Sequence, residues 1–195
     1  MSKLRTTLLA LAATASVFAA SSASAASFEV WNGVGWSNNG TVLLSGPISI
    51  NNLPCNADFT VAVVAGVANV VAVRFAGTVS ACGAVSAQHL PWLLSAPIPY
   101  SGANPPFSGA PILTPVLSSV QISGVRLLVP GSYCPSATGT GTIASVLDTS
   151  YQGGSLPPAN NRLVFKTTLA ACTFQTRTTT PPYSLVTLTP MRVVP

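Results

Sequence analysis

Apolar and polar positions alternate along most of this chain with a period of two, in short runs separated by Gly, Pro, Asn and Ser. That pattern, rich in Val, Ile, Thr and Phe, predicts strands. Ser27 to Trp36 (SFEVWNGVGW) reads as a short strand entering a turn around Asn32-Gly33, and Ser37 to Gly40 (SNNG) as a second turn. Thr41 to Ile50 predicts a strand interrupted at Gly46-Pro47, where the missing proline amide implies a bulge or an edge. Ala57 to Val67 and Val70 to Val79 predict a hairpin with its turn near Gly66–Asn69. Within the second strand Val71, Val73 and Phe75 alternate with Ala72, Arg74 and Ala76. The first three are assigned to the core face and Arg74 to water.

Further strands are predicted over Val116 to Val129 and Ser136 to Leu147. Leu163 to Phe174 is read as one strand ending in Cys172, and Ser184 to Val194 as a closing strand interrupted at Pro190. Asp148 to Asn161 is a polar loop. Pro91 begins the most irregular region, in which six more prolines follow as far as Pro115. It is read as a Pro-rich loop, residues 97–115, packed across the domain, with a linker between two domains as the rival. No segment after the N-terminus has the period and caps of a long helix, and seventeen prolines disrupt most candidates. The fold class that follows is all-β: an antiparallel β-sandwich, immunoglobulin-like or Greek-key, in one domain over residues 26–195.

The N-terminus stands apart. Lys3 and Arg5 precede an apolar run, Leu8 to Ala20, and Ala23-Ser24-Ala25 fits a small-residue cleavage pattern. Residues 1–25 therefore read as a cleaved signal helix, with cleavage between Ala25 and Ala26. The run is too short to span a bilayer, so no transmembrane anchor is expected in the mature chain. The implied location is secreted, extracellular or at the cell surface, with the periplasm as the other compartment such a signal serves.

Charge changes the picture less than the sequence pI of 9.4 implies. After the signal, six basic side chains face three acidic ones, Glu29, Asp58 and Asp148, a net charge of +3. The basic residues are scattered singly, with no stripe for nucleic acid. The informative feature is scarcity of charge, together with a mean hydropathy of +0.54. A surface of Ser, Thr, Asn, Gly and apolar groups repels itself weakly and favours apolar material or its own kind.

Four cysteines in an exported chain predict two disulfides among three possible pairings. A loose internal echo bears on the choice. The stretch Val70 to Trp92 ends its strand in Ala81-Cys82, and Leu163 to Phe174 contains Ala171-Cys172. Each follows an earlier Pro-associated cysteine, Cys55 or Cys134. The echo favours Cys55 with Cys82 and Cys134 with Cys172. A metal site is disfavoured, since the cysteines are far apart and His89 is the only histidine.

Catalytic constellations are also missing. His89 has no Gly-x-Ser-x-Gly elbow to serve, three scattered acids make a poor carboxylate pair, and Gly139 to Thr142 (GTGT) lacks the lysine of a phosphate loop. No catalytic residue and no cofactor is assigned. Trp31, Trp36 and Trp92 suit sugar stacking, an interface or plain packing, and Trp92 is expected to cap one end of the sandwich.

Gly46 to Ile50 (GPISI), Leu53 to Cys55 (LPC), the run from Cys82 to Leu90-Pro91-Trp92, and the later Cys134 and Cys172 together resemble the alkane-oxidation protein activator family, PraB-like secreted bacterial proteins. The likeness covers about residues 40 to 175; the Pro-rich insert Pro97 to Pro115 and the extended C-terminal strand depart from it. The resemblance implies a non-enzymatic exported protein that promotes growth on, or contact with, hydrocarbon. Its partners would be apolar surfaces or hydrocarbon, contacted through Trp92, Leu90 and Pro91. A structural or adhesive component of the cell surface or biofilm matrix, engaging itself or matrix components, is the alternative. A small outer-membrane barrel is a third reading, disfavoured by prolines within the strands.

Overall fold

Positive-φ residues set the hairpins from which the structure, a computed structural model, is built. The structure describes residues 26–149, 161–187 and 189–195. The expected signal helix with Ala25, and most of the polar loop before Asn161, lie outside the described residues, and Ala26 is the first of them. In chain order the strands are β1 (Ser27–Trp31), β2 (Trp36–Ser37), β3 (Gly40–Ile50), β4 (Leu53–Val64) and β5 (Val67–Ala76). A 3₁₀ turn (Ser80–Ala84) precedes β6 (Ser86–Gln88), β7 (Trp92–Leu94), β8 (Ile98–Pro99), β9 (Leu117–Val129) and β10 (Ser132–Cys134). The last five are β11 (Gly141–Asp148), β12 (Arg162–Leu169), β13 (Cys172–Thr176), β14 (Leu185–Thr187) and β15 (Met191–Val194).

Asn51 and Asn52, with φ of 50° and 66°, make the two-residue loop between β3 and β4. Ala65 and Gly66, at 50° and 79°, make the one between β4 and β5. Positive φ at both central positions matches the right-handed twist of the flanking strands. Ala65 lacks the freedom of glycine there, and the neighbouring turn holds it: its amide donates to Asn39 Oδ1 at 3.0 Å, and that of Gly66 to the Asn38 carbonyl at 2.8 Å. The turn therefore falls earlier than the expected Gly66–Asn69, and β5 begins at Val67.

The hairpins join into one closed sheet. The strands run β9-β11-β12-β13-β3-β4-β5-β7, each antiparallel to the next, and β7 pairs again with β9. The expected two-sheet sandwich is thus replaced by an eight-strand barrel. The physical reason is β7, a three-residue strand at the edge of the Pro-rich region, which pairs with β5 on one side and β9 on the other. Short β14 fills the space between β12 and β3 beyond the reach of β13. The expected closing strand is divided, since β15 lies in a separate three-stranded sheet, β15-β1-β2. Phe28, Val30 and Met191 of that small sheet join the main core.

An eight-strand barrel is just wide enough for side chains to fill it. Here the filling is aromatic and aliphatic. Trp92 meets Phe59 edge-on at 6.0 Å between ring centroids, Phe59 meets Phe174 at 6.5 Å, and Phe174 meets Phe165 at 4.9 Å. These rings come from β7, β4, β13 and β12, so one aromatic chain crosses the lumen. Outward positions of β4 are mixed, with Asn56, Asp58 and Thr60 followed by Ala62 and Val64. A lumen filled by apolar side chains is the reverse of a membrane-spanning barrel, whose interior is polar.

Two local features depart from simple alternation. A bulge between Thr60 and Val61 places Ala72 and Val70 opposite them, leaving Val71 as the extra residue on β5. Val70 is therefore buried and Val71 exposed, against the expectation for Val71, while Phe75 does face the core and Arg74 is exposed. Pro47 is neither bulge nor edge. It sits where β3 exchanges β14 for β13 as its neighbour, so its missing amide removes no ladder bond, and its carbonyl accepts from the Arg177 amide at 3.0 Å.

Both disulfides lie in the core. Cys55 on β4 bonds Cys82 in the 3₁₀ turn, and Cys134 on β10 bonds Cys172 on β13, with Cα separations of 5.6 and 5.8 Å. They close loops of 27 and 38 residues. In the chain-entropy account these are worth about 3.5 and about 4 kcal/mol. The echo does not extend to local geometry. Cys82 lies in a 3₁₀ turn, whereas Cys172 opens β13 after a turn at Ala170-Ala171, which splits the expected strand Leu163 to Phe174 in two.

Gly46 exposes the tightest point of the ring. A Cβ built there would lie 2.2 Å from the Ser184 carbonyl oxygen, a backbone atom that cannot swing away. Gly46→Ala is expected to lower stability by about 2 kcal/mol or more, as overpacking does. Gly83→Ala, whose new Cβ meets nothing within 4 Å, should change it by less than about 0.5 kcal/mol. Denaturant unfolding of the two variants checks the contrast, and equal stabilities would contradict the packing described.

Candidate functional site

Because the lumen is filled, contact with anything else must occur on the outside. Trp92, assigned to an apolar contact, is fully buried. Its register opposite Val70 turns the indole into the lumen, where Nε1–H donates to the Gln88 carbonyl at 2.9 Å. It packs within the ring and is unavailable to an external partner. Leu90 is partly buried against the same core, and of the three only Pro91 is exposed. His89 is exposed in a left-handed conformation, φ 58°, just before the cis Leu90–Pro91 bond.

Two outer features have built geometry. The first is the loop joining β1 to β2, Trp31-Asn32-Gly33-Val34-Gly35-Trp36. Asn32 Oδ1 accepts from the amides of Val34 and Gly35 at 3.0 and 2.9 Å, and the Asn32 amide donates to the Gly35 carbonyl at 3.0 Å. Gly33, at φ 96°, supplies a conformation other residues resist. Fixed in this way, Val34 projects with 91% of its surface exposed, the largest exposure among the described large hydrophobics.

Trp31 and Trp36 face each other across the strand pair beneath the tip, with ring centroids 5.6 Å apart. The Arg192 guanidinium lies 4.6 Å from the Trp36 ring centroid and is held by Glu29, Nε to Oε2 at 2.8 Å. A fully exposed aliphatic residue above two half-buried indoles is the arrangement that amphipathic aromatic rings adopt where one end is apolar and the other wet.

The second feature is the Pro-rich segment 97–115, which lies as an arm on the outer face of β9, β11 and β12. Leu113 is buried there against Leu117, Val146 and Val164, with Tyr100 and Phe107 packed alongside. Val146 and Val164 lie directly opposite each other on neighbouring strands and point outward, so the arm covers apolar positions that the alternation left outside.

Three polar clamps shape the arm and hold it to the barrel, the first of them internal to the arm. Asn104 donates through Nδ2 to the Leu113 carbonyl at 2.7 Å and accepts through Oδ1 from the Leu113 amide at 2.9 Å, imitating a strand pair. The Tyr100 amide donates to the Leu117 carbonyl at 3.0 Å. Fully buried Asp148 accepts through Oδ2 from Arg162 Nη2 at 2.7 Å and from the Thr114 amide at 3.1 Å. An open groove of about 260 Å³ remains between arm and barrel.

The model of the alkane oxidation protein activator PraA/PraB-like family matches residues 1–188. This chain belongs to that family. No curated protein and no solved structure matches it. The PraA/PraB-like match takes in the Pro-rich arm and β14, which the sequence resemblance left aside as departures. The residues that carried the resemblance are structural in this family member: Ile48 and Ile50 of GPISI, Cys55 of LPC, and Trp92 are all core. Two disulfides are compatible with an extracytoplasmic protein, and no helix among the described residues is long and apolar enough to cross a membrane. Among the described residues no group of three or more His, Cys, Asp or Glu is placed to hold a metal ion.

Sequence reading missed Val34 because a lone valine between glycines carries no periodicity. It missed the clamps because Asn104 and Leu113, or Thr114 and Asp148, are distant in sequence and meet only through the fold.

Asp148→Asn would leave Arg162 without its counter-charge. Because Arg162 keeps 26% of its side chain in water, the cost should fall below that of a fully buried pair, at about 2–3 kcal/mol. Asn104→Ala should cost only about 1–2 kcal/mol, for two hydrogen bonds. Hydrogen exchange would locate the effect of Asn104→Ala: faster exchange at Leu113, unchanged protection in β3 and β4. Loosening of β3 and β4 to the same degree would contradict a locally clamped arm.

Proposed function

We propose that this PraA/PraB-like chain is an exported, non-enzymatic accessory protein that adsorbs at hydrocarbon–water interfaces and so aids alkane dispersal or oxidation. The observation that carries the reading is the tip at Val34, an exposed aliphatic residue on a hydrogen-bonded turn above Trp31 and Trp36. Its family name, an activator of alkane oxidation, supports the same direction. So does the distribution of charge. Glu29 and Asp148 are held in ion pairs with Arg192 and Arg162, and Asp58 lies opposite Arg74. No acid stands in the tip to resist transfer into an apolar phase.

The tip is pre-organised, so adsorption needs no unfolding of the disulfide-linked barrel and little ordering of the loop itself. A matrix or adhesive role would draw on open strand edges, which invite pairing between chains. It has less support here, because each of the eight ring strands has a neighbour on both sides.

The test is the tension of a hexadecane–water interface against concentration of the chain beginning at Ala26. The wild-type chain should lower the tension more than an inert protein of equal size. Val34→Asp should require about tenfold more protein for the same drop, the equivalent of losing the ~1.5 kcal/mol gained on burying one valine. A wild-type curve like that of the inert protein would sink the proposal, and so would a Val34→Asp curve that coincides with wild type.

A further inference from the structure

The groove between the arm and the barrel lies apart from the tip and uses none of its residues. We infer that it is a binding site for a free single-chain amphiphile with an anionic headgroup, of the fatty-carboxylate class. Its walls are largely apolar, Tyr100 and Phe107 from the arm and Val146 and Val164 from β11 and β12, with Ser119 and Ser145 as uncharged polar neighbours and the small Ala144 leaving the floor open. Its volume of about 260 Å³ lies just under the range of sites for drug-sized ligands and suits one slender chain better than a ring system.

Lys166 is the one charged residue in the lining. It is exposed on β12, two residues along the same outward face from Val164. Among the described residues it makes no ion pair; Asp148 and Glu29 are already bonded to arginines. The groove thus presents an apolar wall ending at one unneutralised ammonium group, which matches a chain ending in a carboxylate. Asp148 and the pairing of β8 with β9 hold the arm on the barrel while Asn104 braces it internally, so the groove exists before anything enters it.

This assignment does not depend on adsorption through Val34. A chain with an inactive tip would keep the groove, and a chain with a blocked groove would keep the tip.

The experiment is calorimetric titration of the purified chain from Ala26 with decanoate, decanol and decyltrimethylammonium, each below its micelle-forming concentration. Decanoate should bind with one-to-one stoichiometry, about fivefold tighter than decanol, the size of one exposed ion pair, and decyltrimethylammonium should be the weakest. Shortening the carboxylate by one methylene should weaken binding about fourfold. Lys166→Gln, at an exposed position, should equalise decanoate and decanol while keeping decanol affinity unchanged. Ala144→Phe, which fills the floor from an exposed position, should abolish binding of both and leave thermal unfolding near wild type. Decanoate binding no tighter than decanol would overturn the inference, as would a preference that survives Lys166→Gln or wild-type affinity in Ala144→Phe.

Discussion

The fold depends on a seam three residues long. Strand β7 closes the ring by pairing Leu93 with Asn69 on β5 and with Ser123 on β9, and Leu94 with Ile122. Without it β5 and β9 would each end in an open edge and the sheet would be a curved platform with an uncovered core. The same strand carries Trp92, the largest of the fully buried side chains. Closure and core filling are therefore one event: the indole enters the lumen only when β7 docks, and its contact with Phe59 continues through Phe174 to β13 on the far side of the ring. The disulfides act on the chain segments around this seam. Cys82 holds the turn that leads from β5 toward β7 against β4, and Cys134 ties β10, beside β9, to β13.

Filling the lumen fixes where interaction can occur. Side chains from all eight ring strands occupy the space that larger barrels leave for a ligand, which is why both proposed contacts, the tip and the groove under the arm, lie outside it. Both project from the ring as additions to it. The tip belongs to the small sheet, anchored through Phe28 and Val30. The arm is anchored by a buried carboxylate on β11 and by its own small core. Other exposed apolar side chains, such as Val64, Val67 and Leu93, lie on the ring strands themselves, whereas Val34 and Ile112, the two most exposed of the described large hydrophobics, stand on these additions.

Much of this was legible in the residues. Period-two alternation, turn residues and cysteine context identify an all-β chain, most strand positions and the observed disulfide partners, because those features are local or depend on composition. Closure was not legible. A three-residue strand bounded by Pro91 and the Pro-rich region looks like loop, and the choice between sandwich and barrel turns on that one pairing. Val71 was assigned inward because the sequence carries no mark of a bulge; the bulge is a relation between β4 and β5. Trp92 stood out as an anchor, but burial is decided by register with Val70, so the same indole read as a contact residue is core. Val34 and Lys166 went unremarked since their roles come from isolation, one from covering neighbours and the other from counter-charge.

With the barrel interior sealed, apolar material adsorbed in the proposed way reaches Trp31 and Trp36 beneath the tip but not Trp92. The most direct measurement is tryptophan quenching by a brominated alkane dispersed as droplets, on two variants. One keeps only Trp92, and the other keeps only Trp31 and Trp36. Quenching confined to the variant with Trp31 and Trp36, with Trp92 emission unchanged at droplet saturation, is the predicted result. Quenching of Trp92 to the same extent would show that the ring opens to hydrocarbon and would contradict the account.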